Sequence, residues 1–404
     1  MNKRIIKRQR YLDKVAPFID KAVIKVLVGQ RRVGKSYLLL QIMDELVKQG
    51  IKRKNIVYIN KEMHEFDQIA NYADLLSFIR KQTAGRGKKY LFLDEIQEID
   101  RFEKALSSLQ AKGGYDIYCT GSNADLLSGE LASRLSGRYI EIKVYGLSFL
   151  EFLDFHGLAN GDDAFEKYVK YGGLPYLVNL RLDDEVVYDY LRSIYNTILF
   201  KDVVARYHVR NVAFLENLVE YLADNTGSLV SAKKISDFLK SQKIKISPNV
   251  VLNYLAHLTA AFFVFRVPRS GIIGKKIFEI GEKYYFEDLG LRHTLIGYKQ
   301  PDINKVLENL VFLHLKILGY DVTVGKLGDR EVDFVCAKGG ERLYVQVAYL
   351  ITDQKTRDRE FGNLLQIEDN YPKVVVSMDK LVGANYKGIE QVNIRDFLSR
   401  DWGS

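Results

Sequence analysis

Residues 29–36 read Gly-Gln-Arg-Arg-Val-Gly-Lys-Ser, a complete GxxxxGK[ST] pattern set between two runs of different periodicity. The preceding Val23-Ile24-Lys25-Val26-Leu27-Val28 has the character of a buried strand. The following Leu38, Leu39, Ile42, Met43, Leu46 and Val47 recur at helical spacing. A glycine-rich turn that leaves a strand and opens a helix gathers backbone N–H groups and the positive end of the helix dipole at one place, where an anion can sit. Gly29 and Gly34 permit positive φ and close approach of the backbone. Gly29, Gln30, Arg31, Arg32, Val33, Gly34, Lys35, Ser36 and Tyr37 are therefore the candidate phosphate cradle. Lys35 is placed to reach the β- and γ-phosphates of a nucleoside triphosphate, and Ser36 to offer its hydroxyl to Mg²⁺.

Four further strands are expected in this half. Ile56-Val57-Tyr58-Ile59 follows the first helix, and a helical stretch around Ala73 to Arg80 comes next. Tyr90-Leu91-Phe92-Leu93 then runs into Asp94-Glu95. Four apolar residues ending in Asp-Glu, downstream of a phosphate loop, put Asp94 beside the metal held by Ser36 and let Glu95 polarise a water for attack on the γ-phosphate. Asp116-Ile117-Tyr118-Cys119-Thr120 ends in Gly121-Ser122-Asn123, where ATPases of the additional-strand type keep a polar sensor of the γ-phosphate. Ser122, Asn123 and Thr120 are the candidates in that order, against the plainer reading of a strand-end turn. After a helix from about Ala124 to Leu135, Ser136-Gly137-Arg138 leads into the strand Tyr139 to Val144. Arg138, and after it Arg134, could act as an arginine finger in the same or a neighbouring subunit, or could simply be a surface cation near a helix end. Five strands separated by helices imply a doubly wound parallel sheet with nucleotide at the carboxyl ends of its strands.

These strings, together with Tyr145-Gly146-Leu147-Ser148-Phe149-Leu150-Glu151-Phe152 and Tyr171-Gly172-Gly173-Leu174-Pro175, resemble the AAA-type ATPases found widely in bacteria and archaea. The resemblance spans nearly the whole chain. It implies ATP and ADP as ligands, Mg²⁺ as the metal, and a carboxy-terminal domain of unknown function whose fold is like that of restriction endonucleases. It also raises a homo-oligomer, since AAA relatives often form rings with arginines acting between subunits.

The remainder divides by pattern. Residues 1–150 form the ATPase core, 151–205 a helical lid with a turn at Gly172-Gly173 and Pro175, 206–296 a winged helix, and 297–404 the restriction-endonuclease-like domain. The fold class expected is thus multidomain α/β. In the winged helix, Ser231 is expected to cap one helix and Ser247 a second that opens with Pro248. Strands Phe262 to Val267 and Tyr284 to Phe286 would frame a wing carrying Arg266, Arg269, Lys275 and Lys276. The second helix, Pro248 to Leu258, lacks Lys and Arg, which disfavours reading of base edges, where Arg on guanine is the commonest contact.

In the last domain Glu308 lies on an apolar helix, Asp333 in the strand Glu331 to Val335, and Gln346 in the strand Leu343 to Val347. A nuclease of this type holds Mg²⁺ with two acids and places a Lys two residues after the second. Here the second acid is Gln346 and the lysine position is Ala348, so the centre is expected to be degenerate and the domain to serve binding or assembly.

Charge bears on partners. The chain of 404 residues has a formal net charge of +9, yet residues 1–60 hold 15 Lys and Arg against 4 Asp and Glu. This basic block and the winged helix could meet nucleic acid without sequence preference. Residues 300–404 carry 14 basic and 16 acidic side chains, a poor surface for gripping DNA. Cys119 and Cys336 lie in separate apolar runs and are expected reduced, no apolar stretch is long enough to span a membrane, and the expected compartment is the cytoplasm. Three functions remain open: an ATP-hydrolysing switch acting on a protein or nucleic-acid partner, an ATP-driven nuclease, and a slow-turnover nucleotide-binding regulator.

Overall fold

The computed structural model describes residues 6–83, 85, 87–127, 135, 137–272, 281–380 and 385–402. It divides into two units, one comprising residues 1–145 with 260–262, the other residues 146–259 with 263–404.

The first unit is built on five parallel strands, β1 (Ile24–Val28), β2 (Ile56–Asn60), β3 (Lys89–Asp94), β4 (Tyr115–Gly121) and β5 (Tyr139–Lys143), in the order β2-β3-β4-β1-β5. All residues of β1 and β3 are buried, as expected of strands covered on both faces. The helix Lys35–Lys48 turns Leu38, Leu39, Ile42 and Leu46 into the core, and Tyr72–Gln82 opens with a capping box from Asn71 and Asp74. A helix at Phe102–Lys112 joins β3 to β4. The strand order sets the geometry of the site, because β4 lies between β1 and β3. The phosphate loop, the end of β4 and Asp94-Glu95 consequently emerge side by side.

The amino-terminal arm is not a loose basic tail. Residues Gln9–Val15 form a helix, and Arg8 is buried, donating to the carbonyl oxygens of Val33 and Tyr145 at 3.0 and 2.9 Å. Arg31, Lys25 and Lys35 are buried as well. Part of the basic excess that pointed to a polyanion is therefore internal counter-charge.

In the second unit the lid region consists of helices Phe149–His156, Asp162–Tyr171 and Asp184–Thr197, the last running on as a π-helix over Ile198–Ala205. The Gly172-Gly173 turn is explained by residues that the sequence did not single out. Gly173 N–H donates to Asp288 at 2.7 Å, and a Cβ on Gly172 would stand 2.4 Å from the same carboxylate. Asp288 also caps the helix Leu289–Ile296 through Leu291 N–H. Burial pushes its carboxyl up to about 6 despite these backbone hydrogen bonds.

Helices Val212–Asp224, Ala232–Ser241 and Pro248–Ala260 occupy the region expected to be a winged helix. Ser231 stands at the start of the second but makes no side-chain capping bond, whereas Ser247 Oγ accepts from Val250 N–H at 3.4 Å. The hairpin β7 (Val264–Gly271) and β8 (Glu282–Phe286) does not close a separate module. The near half of β7 pairs antiparallel with β8, and Arg269 to Gly271 pair in parallel with Val324 to Lys326 of β9 (Asp321–Leu327). The result is one nine-stranded mixed sheet. It includes β6 (Leu229–Val230), β10 (Arg330–Lys338), β11 (Glu341–Val347), β12 (Lys373–Ser377), β13 (Asn385–Tyr386) and β14 (Ile389–Asn393). Packing follows the sheet: Tyr285 of β8 stacks on Phe312 with ring centroids 4.6 Å apart, and Phe149, Tyr168, Leu289, Val311, Phe334 and Val345 belong to one core. The expected boundaries at 205/206 and 296/297 fall inside this unit, whose sheet and core run across them. Among the described residues, no helix is long and apolar enough to cross a membrane.

Candidate functional site

The phosphate loop is shaped by two glycines for different reasons. A Cβ at Gly29 would stand 2.1 Å from the carbonyl oxygen of Val144, so no side chain fits between the loop and the end of β5. Gly34 takes φ 97° as the N-cap of the helix Lys35–Lys48, the left-handed conformation that glycine adopts at no steric cost. Lys35 Nζ donates to the carbonyls of Gly29 and Gln30 at 2.9 and 3.0 Å and lies 4.0 Å from Glu95 Oε1. Arg31 is buried and paired with Glu62 at 3.0 Å, whereas Arg32 and Tyr37 are exposed. Gln30 Nε2 donates to the carbonyl of Phe262 at 3.2 Å, tying the loop to the peptide that follows the helix Pro248–Ala260.

Asp94 ends β3 and is almost fully buried. Burial raises its carboxyl above the ordinary range, opposed by hydrogen bonds from Thr120, Ser36 and Tyr58. Glu95 takes the left-handed conformation with φ 53°, uncommon for a residue with a side chain and a form of strain found at functional sites. For its carboxylate, burial acts upward, but the charges of Lys35 and Arg31 prevail and hold it below the ordinary range. Gln97 and Ser122 also hydrogen-bond to Glu95.

Thr120 connects the two acids. Its hydroxyl donates to Asp94 Oδ1 and accepts from Glu95 N–H at 2.9 Å. Of the three sensor candidates it was ranked last, yet it makes the direct bond to Asp94. Ser122 touches Glu95 and accepts from Gln97 at 3.4 Å, and Asn123 is buried at the end of the same turn. Tyr58 and Gln97 had no signal in the sequence, because their roles arise only once β2 and β4 flank β3.

Arg138 does not join this group within one chain. Its carbonyl accepts from Ile24 N–H at the start of β1, and the paired strands run from Ile24–Tyr139 to Val28–Lys143 before reaching the phosphate loop. Five strand positions, about 16 Å, separate its backbone from the carboxyl end of β5. A role for Arg138 as an arginine finger, in its own chain or on a neighbouring copy, stays a proposal. Arg134 lies outside the described residues.

The wing and nuclease-type positions also have definite surroundings. Arg266 is paired with Glu282, and Arg269 lies 3.6 Å from Glu331; Lys275 and Lys276 lie outside the described residues. Glu308, on the helix Ile303–Ile317, accepts from Tyr285 at 2.6 Å and from Lys283 at 2.8 Å. Asp333 Oδ2 accepts from Val347 N–H at 2.9 Å, Gln346 Oε1 accepts from Asp333 N–H at 3.3 Å, and Gln346 Nε2 donates to Glu360 at 3.1 Å. A register shift between Val332 and Val335 against β9 interrupts the ladder at Asp333. Among the described residues, no group of three or more His, Cys, Asp or Glu side chains is arranged to hold a metal ion.

Comparisons with known proteins agree with this architecture. The model of an AAA domain matches residues 21–153, and that of a domain of unknown function, DUF8612, matches residues 162–302, running across the expected lid and winged-helix segments. An uncharacterized protein of Haemophilus influenzae is 39% identical over 403 residues, covering 98% of this chain and 100% of that protein. The uncharacterized protein MJ1544 of Methanocaldococcus jannaschii is 29% identical over 388 residues, covering 92% of this chain and 85% of its own. Among solved structures, the Walker-type ATPase PABY2304 of Pyrococcus abyssi aligns with TM-score 0.48 at 16% identity, covering 73% of this chain and 97% of that one. With a GxxxxGK[ST] loop, a buried Asp-Glu strand end, an AAA-domain match and a full-length relative, the chain belongs to the AAA-type P-loop ATPases, in one family with the Haemophilus protein.

Proposed function

We propose that the chain is a Mg²⁺-dependent ATPase whose cycle works as a conformational switch on a protein or nucleic-acid partner. The observation that carries this reading is the placement of β4 between β1 and β3, which sets Lys35, Thr120 and Asp94-Glu95 together at one end of the sheet. The residues fit the nucleotide and the metal: no Cβ is tolerated at Gly29, and Ser36 bonds to the carboxylate that would share the cation. Ser36 and Asp94 would hold Mg²⁺, which when bound supplies positive charge to the phosphate oxygens. Lys35 would exchange the Gly29 and Gln30 carbonyls for phosphate, leaving Glu95 one fewer neighbouring cation. Glu95, held ionised, is placed to orient water and accept its proton. Gln30 offers the route outward, since movement of the loop alters its bond to Phe262.

The second unit supports a binding role. Its hairpin and three helices are read as a winged helix and its last strands as a nuclease-like sheet with a degenerate centre, because Gln346 carries no charge and Ala348 replaces the lysine. Pairing of Arg266 and Arg269 with acids leaves less charge for phosphates, which favours a protein partner over DNA. If Arg138 completes a neighbour's site, specific ATPase activity rises with protein concentration and the rise vanishes in Arg138→Ala. Isothermal titration with Mg²⁺-ATP tests the reading at its base. Wild type should bind, and Lys35→Ala should bind weakly or not at all; equal binding by a folded Lys35→Ala would reject the site.

A further inference from the structure

Lys283 of the hairpin stands among the acids at and beside the nuclease-type positions. It is only 3% exposed, on β8, and its ammonium lies 2.8 Å from Glu308, 2.7 Å from Glu331 and 3.8 Å from Asp333. These carboxylates come from the helix Ile303–Ile317 and from β10, so a single cation gathers three side chains from two elements. Tyr285, two residues along the same strand face, adds its hydroxyl to the Glu308 oxygen that Lys283 bonds. Gly227 packs close to the same acid: a Cβ there would stand 3.2 Å from the Glu308 carboxyl. Arg269 approaches Glu331 from β7. The cluster thus sets three carboxylates, Asp333 buried and Glu308 and Glu331 partly exposed, against two built-in cations.

A divalent ion shared by Glu308 and Asp333 would need to stand within reach of both carboxylates, and Lys283 Nζ already lies 2.8 Å from one and 3.8 Å from the other. Ligands to Mg²⁺ or Mn²⁺ stand about 2.0–2.2 Å from the ion, and no second cation can share that space with an ammonium. The residues present therefore do not fit a metal. We propose that Lys283 occupies the position of the nuclease metal as a permanent internal cation, so that this centre is metal-free and clasps the β7–β8 hairpin to the carboxy-terminal sheet. The inference rests on reading Glu308, Asp333 and Gln346 as a metal set, and it is independent of the ATPase assignment. The lysine missing at position 348 is not replaced in kind, because an ammonium bonded to Glu308 and ion-paired with Asp333 takes the place of their metal rather than assisting it.

The test is Mn²⁺ binding without nucleotide in an Asp94→Asn background, followed by Mn²⁺ electron paramagnetic resonance. Wild type should bind no Mn²⁺ that Asp333→Asn removes. Lys283→Met keeps the stem and deletes the charge; it should gain at least roughly tenfold in Mn²⁺ affinity, and the gain should vanish when Asp333→Asn is added. Lys283→Arg should remain blind to Mn²⁺. A folded Lys283→Met with no gain would overturn the proposal. Should Lys283→Met fail to fold, the comparison of wild type with Asp333→Asn decides alone: equal Mn²⁺ response supports the internal cation, and loss of binding in Asp333→Asn refutes it. Plasmid cleavage by wild type that depends on Asp333 would instead overturn the degenerate reading on which the inference stands.

Discussion

Replacing Thr120 by valine keeps the branched shape and removes the hydroxyl that joins the two acids of β3. Thr120 is fully buried and Asp94 nearly so, so water cannot replace what is lost. Asp94 forfeits a hydrogen bond to a charged group, worth about 1.5–3 kcal/mol, and keeps those from Ser36 and Tyr58. Glu95 N–H, which donates to Thr120 at 2.9 Å, is left unpaired at about 1–3 kcal/mol. Together these give about 2.5–6 kcal/mol, concentrated at a residue already held at φ 53°. Hydrogen exchange read by mass spectrometry on the peptide spanning 91–97 should therefore accelerate by roughly 10²–10⁴-fold in Thr120→Val, since each 1.4 kcal/mol is a factor of ten. Thr120→Ser, which keeps the hydroxyl, should stay near wild type. The turnover number should fall by roughly tenfold or more through misplacement of Glu95, with less effect on nucleotide affinity. If Thr120→Val exchanged and turned over like Thr120→Ser, the hydroxyl would not be what positions the acids.

Two further outcomes follow from buried charge. Asp116 accepts from Lys25, from Tyr118 and from Asp20 N–H, with Lys25 fully buried; Asp116→Ala should destabilise the first unit by about 3–5 kcal/mol, and Lys25→Met with Asp116→Leu should recover most of it in urea unfolding. Asp288, raised from 3.8 to about 6, binds a proton in the folded chain that the unfolded chain has already released. Its contribution is fully present below about pH 4 and is lost as pH rises through about 6, a span worth roughly 3 kcal/mol, and Asp288→Asn should flatten that part of the stability profile.

Much of the first unit was legible because its signals are local. The phosphate loop needs particular residues at fixed spacing, and β1 to β4 announce themselves as apolar runs ending in polar groups. What the spacing could not tell was the lateral order of strands. That order makes Thr120 a link between Asp94 and Glu95, brings Tyr58 to Asp94, and leaves Arg138 at the amino end of β5. Burial of Arg8 and Lys25 was equally hidden, since a cation that serves as internal counter-charge looks the same in sequence as one that faces solvent. In the second unit the strands expected from the sequence match β7, β8, β10 and β11 but not β6, β9, β12, β13 or β14, and the pairing of all of them is non-local. Nothing in Val264–Gly271 says that it will bend from β8 to β9 and merge two expected domains. Lys283 followed the same rule: an unremarkable residue in an apolar strand became the centre of three carboxylates that lie 25, 48 and 50 positions further on.

The central claim, that the loop and Asp94-Glu95 form a working hydrolytic site, is tested most directly by steady-state phosphate release with Mg²⁺-ATP in wild type and Glu95→Gln. Glu95→Gln keeps the shape of the side chain and loses the base, so ATP binding should persist while turnover falls by roughly 10²–10⁴-fold. Turnover absent from wild type, or unchanged in Glu95→Gln, would contradict the account.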